Sequence, residues 1–145
     1  LGDVYKRQRY KNTTPIQIRK GSSGAREMLN LLRKNGAIAM LVDQKLSSGV
    51  RVNFFGSDAM TSDGAASLAI KYNYPVIPMN VERTKGSNFK VSFHPEIKVN
   101  KTSDKQNDIK AFTTEINKFL EQCITKNPEG WFWIHNRWDK KFNLS

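Results

Sequence analysis

The sequence predicts an α/β fold with a mostly parallel or mixed central sheet that helices flank. Three observations support this prediction. Helix-forming segments alternate with short apolar runs along the chain. One of these runs, Ala37 to Val42, is apolar throughout, which is typical of a strand buried on both faces. The length of 145 residues fits one domain.

The first half of the chain contains three predicted strands and one predicted helix. Residues 14–18 alternate and indicate a short strand, and "RKGSSG" after them indicates a turn. The segment "AREMLNLLRKNG" places its leucines and methionine mostly on one helical face, and Asn35-Gly36 predicts the helix stop. After the buried strand, residues 43–49 are a predicted loop, and the alternation of "VRVNFF" predicts a further strand.

The second half repeats this alternation. Residues 56–64 are a predicted loop, and residues 65–73 are a predicted helix that ends at Asn73. Residues 74–82 form a predicted strand in which Pro78 indicates a strand end or edge. Residues 89–95 pair with this strand through the turn "RTKGSN". The longest predicted helix spans 104–127, with an apolar stripe of Ile109, Phe112, Ile116, Phe119, Leu120 and Cys123.

The charge of the chain is its strongest bulk property. There are 24 Lys and Arg against 13 Asp and Glu, a formal charge of +11 that attracts anionic partners. This charge alone does not distinguish nucleic acid, anionic lipid and an acidic carrier protein. A spanning helix needs about 18–20 apolar residues, so no segment is predicted to cross a bilayer. The single Cys123 excludes an internal disulfide and is predicted to be a buried small hydrophobe rather than a nucleophile.

Two segments have the pattern of a binding site. Asp43 and Gln44 follow the predicted strand at 37–42, and open α/β sheets bind ligands at the carboxyl ends of their strands. The alternative is that Asp43 only caps a loop. The segment "FFGSDAMTSDGAA" combines a glycine turn with the start of a helix, which suits a phosphate or an oxyanion. Its alternative is an ordinary loop with an ordinary helix cap.

A third segment, "IRKGSSGA", resembles a nucleophile elbow around Ser23, although Ala25 breaks the G-x-S-x-G pattern. Asp43 and His135 would complete the triad order. The alternative is a simple glycine-serine turn. His94 and His135 lie far apart in the sequence and the one cysteine has no partner at ligand spacing, so no metal site is predicted.

Residues 128–138, "PEGWFWIHNRW", contain all three tryptophans of the chain. One interpretation is a docking segment that closes a hydrophobic core, and the other is an amphipathic ledge at a membrane–water interface. Arg137 lies beside Trp138 and near Trp133. It either stacks on these rings or binds phosphate, or else it covers core aromatics with its stem.

Three blocks taken together resemble a known family: "LVDQKLSSGVRVNFFGSDAMTSDGAASLA", "PVIPMNVER" and "PEGWFWIHNRWDKKF". In this order they are similar to the late acyltransferases of lipid A biosynthesis, the lauroyl/myristoyl transferase group. That group belongs to the glycerolipid and lysophospholipid acyltransferase superfamily. The similarity runs from Arg9 to about Phe142 and corresponds to roughly the C-terminal half of a family member. Residues 1–8 are interpreted as a non-native leader, and residues 9–145 as the C-terminal part of a single acyltransferase domain.

The resemblance implies transfer of a fatty acyl chain from acyl carrier protein to a hydroxyl of a lipid A precursor. It implies work at the cytoplasmic face of the inner membrane, on an anionic surface, without a cofactor and without nucleic acid. The family's catalytic motif is a histidine, four residues and a carboxylate. The positions five residues after His94 and His135 are Val99 and Lys140. The resemblance therefore implies that the catalytic pair and a membrane anchor lie upstream, and that this chain alone is inactive.

The resemblance also assigns site residues. Arg9 and Asp43 take the catalytic positions, and the carboxyl end of the 37–42 strand is expected to form one wall of a lipid-binding cleft with the turn after Phe55. A non-catalytic basic module that binds nucleic acid or anionic surfaces is one alternative, and a serine hydrolase is another. The expected substrate-binding residues are Gln44, Phe55, Gly56, Thr61, Gly64, His135 and Arg137.

Overall fold

The structure, a computed structural model, describes Ile16, Ile18, residues 22–134 and residues 136–138. The chain divides into two compact units, residues 1–40 and residues 41–145. The elements in chain order are α1 (Ser22–Arg33), β1 (Lys45–Phe54), β2 (Ser57–Thr61), α2 (Gly64–Tyr72), β3 (Met79–Arg83), β4 (Phe89–Phe93), α3 (Lys105–Lys126) and a 3-10 turn (Pro128–Gly130).

The described part of the first unit is built around helix α1. It begins at Ser22, inside the segment predicted as a turn, and the predicted stop is confirmed. Asn35 has a φ of 58°, and the Asn35 and Gly36 amides donate to the Leu32 and Leu31 carbonyls at 3.0 Å. This left-handed ending satisfies the last carbonyls of the helix. The strand predicted at 14–18 falls mostly outside the described residues.

The buried strand predicted at 37–42 is wrong for this structure. These residues are irregular, and the Leu41 side chain is 85% exposed. The described strands form two separate antiparallel pairs, β1–β2 and β3–β4. The mixed α/β composition is thus confirmed, whereas a central parallel or mixed sheet is not. An apolar run becomes a buried strand only where neighbouring strands satisfy its backbone, and the described residues offer this run no such neighbour.

Strands β1 and β2 form a hairpin in which Val52 faces Ala59 and Phe54 faces Ser57. The loops predicted at 43–49 and 56–64 are therefore partly wrong, because both contribute strand residues. Thr61 is opposite both Lys45 and Val50, so the residues between them bulge from the ladder. Gly49 lies at the end of this bulge, where a Cβ atom would collide with the Thr61 carbonyl oxygen. The bulge therefore requires glycine.

Helix α3 packs on strand β1 of the hairpin and also on helix α2. Helix α2 ends as predicted at Asn73, which has a φ of 59°. Helix α3 begins at Asp104, whose side chain accepts hydrogen bonds from the Gln106 and Asn107 amides at 3.0 and 3.1 Å. Within the described residues, no helix combines the length and apolar character needed to span a bilayer. Buried residues of α3 include Ile109, Phe112, Ile116 and Ile124, while Phe119, Leu120 and Cys123 are half-buried.

Strands β3 and β4 pair as predicted, and Pro78 directly precedes β3. One face of this ribbon is apolar and lies in solvent, with side chains that are 45–73% exposed. The opposite face is polar and lines a groove beside α3. Exposed apolar patches of this kind promote association. The apolar face consists of Met79, Val81, Phe89, Val91 and Phe93.

Replacing Phe93 by serine is expected to reduce self-association without loss of stability, because this side chain is 73% exposed. Light scattering and binding of a hydrophobic dye measure the first effect, and urea unfolding measures the second. Lys90→Ser, on the polar face of the same strand, is the matched control and should leave scattering unchanged. Equal scattering by wild type and Phe93→Ser would contradict the prediction.

Candidate functional site

Phe54 is the centre of an aromatic cluster. The strand alternation of β1 points Val52 and Phe54 inward, and the Phe54 side chain has no exposed surface. Its ring centroid lies 5.6 Å from the Trp138 ring, stacked, and 5.8 Å from the Trp131 ring, edge-on. The Trp138 indole N–H donates to the Phe54 carbonyl at 3.1 Å. Trp131 and Trp138 therefore pack against the end of β1.

Arg137 lies inside this cluster with no exposed surface. Its Nη1 donates to the Met60 carbonyl at 3.0 Å, and its Nη2 donates to the Thr61 hydroxyl at 2.7 Å. Its guanidinium carbon lies 4.7 Å from the centre of the Phe54 ring. Burial lowers the pKa of Arg137, and the Asp43 carboxylate opposes this effect. Arg137 thus stacks its guanidinium on the core ring of Phe54, while the covering of aromatics by its stem and its role toward a substrate stay predictions.

Thr61 joins the hairpin, the C-terminal segment and helix α3. Its hydroxyl accepts from Arg137 and donates to the Ala59 carbonyl at 3.1 Å. Asn117 of α3 approaches the same hydroxyl at 3.4 Å and donates to the Asn53 carbonyl at 2.8 Å. Asn117 is not among the site residues predicted from sequence. The sequence feature that could have identified Asn117 is its position four residues after Thr113, which places two polar side chains on the buried face of α3.

Asp43 is half-buried, and its Oδ2 accepts from the Trp131 indole N–H at 3.2 Å. The negative charge of Asp43 also acts to raise the pKa of Arg137, against the effect of burial. Thr61 therefore bonds to Arg137 directly and Asp43 joins the cluster through Trp131, although no strand ends at Asp43 as the sequence predicted. Gln44, the next residue, is exposed.

The turn of the β1–β2 hairpin consists of Phe55 and Gly56, with φ values of 51° and 77°. Positive φ at both central residues is the backbone of a type I′ turn. The Phe55 amide donates to Glu121 Oε1 at 2.6 Å, and the Gly56 amide donates to Asn53 Oδ1 at 3.0 Å. The Phe55 ring is 40% exposed. The predicted glycine turn is present, and it displays Phe55 at the surface.

A family model described as bacterial lipid A biosynthesis acyltransferase matches residues 5–140. The chain belongs to this family. No curated protein gives a significant match. The family match includes Asp43, the Phe55–Gly56 turn, Thr61 and Arg137, so the residues that meet around Phe54 all lie within the acyltransferase domain.

The tryptophans of this acyltransferase segment divide into two environments. Trp131 and Trp138 pack on the Phe54 cluster, which confirms the docking interpretation for these two. Trp133 is 56% exposed, and its indole N–H donates to the Pro128 carbonyl at 2.6 Å. Phe132 and Ile134 beside it are exposed as well. The interfacial interpretation therefore applies to residues 132–134 and stays a prediction.

Gly64 is the first residue of α2, at the helix start predicted from sequence as an anion site. Asp63 precedes it and makes no side-chain hydrogen bond to the helix amides. Instead, its Oδ2 accepts from the Ser67 hydroxyl at 3.3 Å. The role of Gly64 stays a prediction.

Arg9 and His135 lie outside the described residues. Ser23 is the second residue of α1, and its φ is not positive, so the strained elbow of a serine hydrolase does not form around it. The groove of about 240 Å³ between the β3–β4 ribbon and α3 contains none of the predicted site residues. In this groove His94 Nε2 lies 2.7 Å from Asn80 Oδ1.

Cys123 also lines this groove and is half-buried. Burial raises the pKa of its thiol, and the Glu82 carboxylate adds to this effect. A raised pKa keeps the sulfur in the weakly nucleophilic thiol form, which agrees with the expectation that Cys123 is not a nucleophile.

Proposed function

We propose that the chain is part of an enzyme that transfers a fatty acyl group from acyl carrier protein to a hydroxyl of a lipid A precursor, in lipopolysaccharide biosynthesis. Membership in the acyltransferase family supports this proposal. The observation that carries it is the meeting of three sequence-distant family segments in one cluster, where Asp43 bonds to Trp131 and Thr61 bonds to Arg137. Such convergence is expected of residues that build one site.

In this reaction a general base removes the proton of the acceptor hydroxyl, and the oxygen attacks the thioester carbonyl. The tetrahedral intermediate then expels the carrier thiol. A general base contributes about 10²–10⁴-fold to such a reaction. Neither His94 nor His135 has a carboxylate five positions later, so the proposal assigns the base and its carboxylate to another part of the natural gene product. Arg9 provides positive charge for the developing oxyanion, and the Asp43 carboxylate orients neighbouring groups.

The remaining predicted residues bind the lipid acceptor. The Phe55–Gly56 turn contributes apolar surface, and Gln44 and His135 contribute hydrogen bonds. Thr61 and Arg137 bond to each other inside the cluster and hold strand β2 in place. Gly64 opens the start of α2 toward a phosphate of the lipid.

The partners follow from charge and exposed apolar surface. The charge of +11 suits both the acidic carrier protein and the anionic cytoplasmic face of the inner membrane. The exposed Phe132, Trp133 and Ile134 suit the interface of that membrane. Nucleic acid is not an expected partner.

Acyl transfer from acyl carrier protein to a lipid A precursor, measured with the natural gene product that contains this chain, tests the proposal. We expect Asp43→Asn to lower kcat/KM by about 10²-fold, because the carboxylate that orients its neighbours is lost and a misplacement of about 1 Å can cost that much. Asp58→Asn, at an exposed acidic residue of β2, is the matched control and should retain activity. Residues 1–145 alone should bind but not turn over the substrate.

Two results would overturn the proposal. One is a lack of acyl transfer by the natural gene product. The other is salt-dependent binding to generic oligonucleotides without binding to anionic vesicles, which would favour the basic-module alternative. Covalent labelling of Ser23 by a fluorophosphonate would favour the serine hydrolase instead.

A further inference from the structure

The Phe55–Gly56 turn contains a local conflict between residue type and backbone. Type I′ turns favour Asn-Gly because both central residues need positive φ. In this turn a phenylalanine occupies the first position with a φ of 51°. A left-handed conformation is disfavoured for such a residue, because its Cβ lies too close to the following carbonyl oxygen. Interactions outside the turn must offset this cost.

Glu121 of helix α3 provides the most direct of these interactions. Its Oε1 accepts a 2.6 Å hydrogen bond from the Phe55 amide, across 66 residues of sequence. A carboxylate acceptor makes a stronger bond than a neutral one. The ladder of the hairpin does not supply an acceptor for this amide, because Phe55 lies beyond the last strand pair, Phe54 with Ser57.

Asn117, one helical turn before Glu121, supports the same turn from the same helix. Its Nδ2 donates to the carbonyl of Asn53, and the Asn53 side chain in turn accepts from the Gly56 amide. Residues four apart lie on one helical face. Two polar residues of α3 therefore hold both turn amides. Glu121 accepts from the Phe55 amide directly, and Asn117 supports the Gly56 amide through Asn53.

The turn held in this way displays Phe55 beside the cluster. The Phe55 ring lies 4.9 Å from Phe54, edge-on, and remains 40% exposed. We propose that Glu121 is a positioning residue that sets the left-handed turn and thereby presents Phe55 to the lipid substrate. The substrate part rests on the proposed function, whereas the hold on the turn does not depend on it.

Amide hydrogen exchange tests the hold on the turn. We expect Glu121→Ala to speed exchange of the Phe55 amide by at least about tenfold, the loss expected for a charge-assisted hydrogen bond. Glu121→Gln keeps an acceptor oxygen and should retain most of the protection. Glu115→Ala removes an acid that pairs with Lys118 on the same helix, and should leave exchange unchanged. Unchanged exchange in Glu121→Ala would overturn the proposal.

A double-mutant cycle in the natural gene product tests the presentation of Phe55. Glu121→Ala should lower kcat/KM by about tenfold in the wild-type background, equivalent to about 1.4 kcal/mol. In a Phe55→Gly background it should have almost no further effect, because glycine adopts positive φ freely and the ring is already absent. An equal loss in both backgrounds would mean a general structural role and would refute positioning. A lack of acyl transfer by the unmutated enzyme would refute the proposed function, while the exchange result would still decide the hold on the turn.

Discussion

Replacing Phe54 by alanine is expected to lower the free energy of unfolding by about 3–5 kcal/mol. The Phe54 side chain is completely buried. It also contacts Trp131, Trp138 and the Arg137 guanidinium, so its loss opens a cavity where the hairpin meets the C-terminal segment. Urea unfolding, monitored by tryptophan fluorescence, measures the change. The comparison requires that the m-value, the slope of the free energy of unfolding against urea concentration, is the same for variant and wild type.

Two variants test whether this loss comes from packing. Phe93→Ala removes the same atoms from a side chain that is 73% exposed, and should change stability by less than about 0.5 kcal/mol. Phe54→Leu keeps much of the volume and should cost clearly less than Phe54→Ala. If Phe54→Ala and Phe93→Ala were equally stable, the aromatic cluster around Phe54 would not be the core of residues 41–145.

Replacing Arg137 by methionine is expected to lower the free energy of unfolding by about 2–4 kcal/mol. The change leaves the buried Thr61 hydroxyl and the Met60 carbonyl without their donor and removes the cation over Phe54. The expected loss stays at a few kcal/mol because burial already disfavours the charged guanidinium, as the lowered pKa of Arg137 indicates. Urea unfolding again measures the change.

Arg51→Met is the matched control, since Arg51 is exposed on β1 and should tolerate the change. Arg137→Lys keeps a charge but not the planar fork, so it should remain well below wild-type stability. Combining Thr61→Val with Arg137→Met should cost less than the sum of the two, because the donor and the acceptor are removed together. Strict additivity would show that the two side chains do not interact.

Local signals were enough to predict several elements. The helix stops at Asn35 and Asn73 and the start of the longest helix near 104 were predicted from residue types that favour those positions. The pairing of β3 with β4 followed from two alternating segments joined by a short turn. The family resemblance also came from sequence, because it depends on the order of motifs rather than on their contacts.

Other features depended on contacts between distant residues. Strand β2 has serine, aspartate and threonine, which are typical of loops and caps, but pairing with β1 makes it a strand. The apolar run 37–42 has the composition of a strand, but a strand needs neighbours, and the described residues provide none.

The site divides in the same way. Residue types and their order were sufficient to identify the members of the family blocks, including Asp43, the Phe55–Gly56 turn and Arg137. The burial of Arg137 on Phe54 and the hold of Glu121 on the turn emerged from long-range packing alone. The physical reason is range: residue type sets backbone preference over a few positions, whereas burial and hydrogen-bond partners are set by elements tens of residues away.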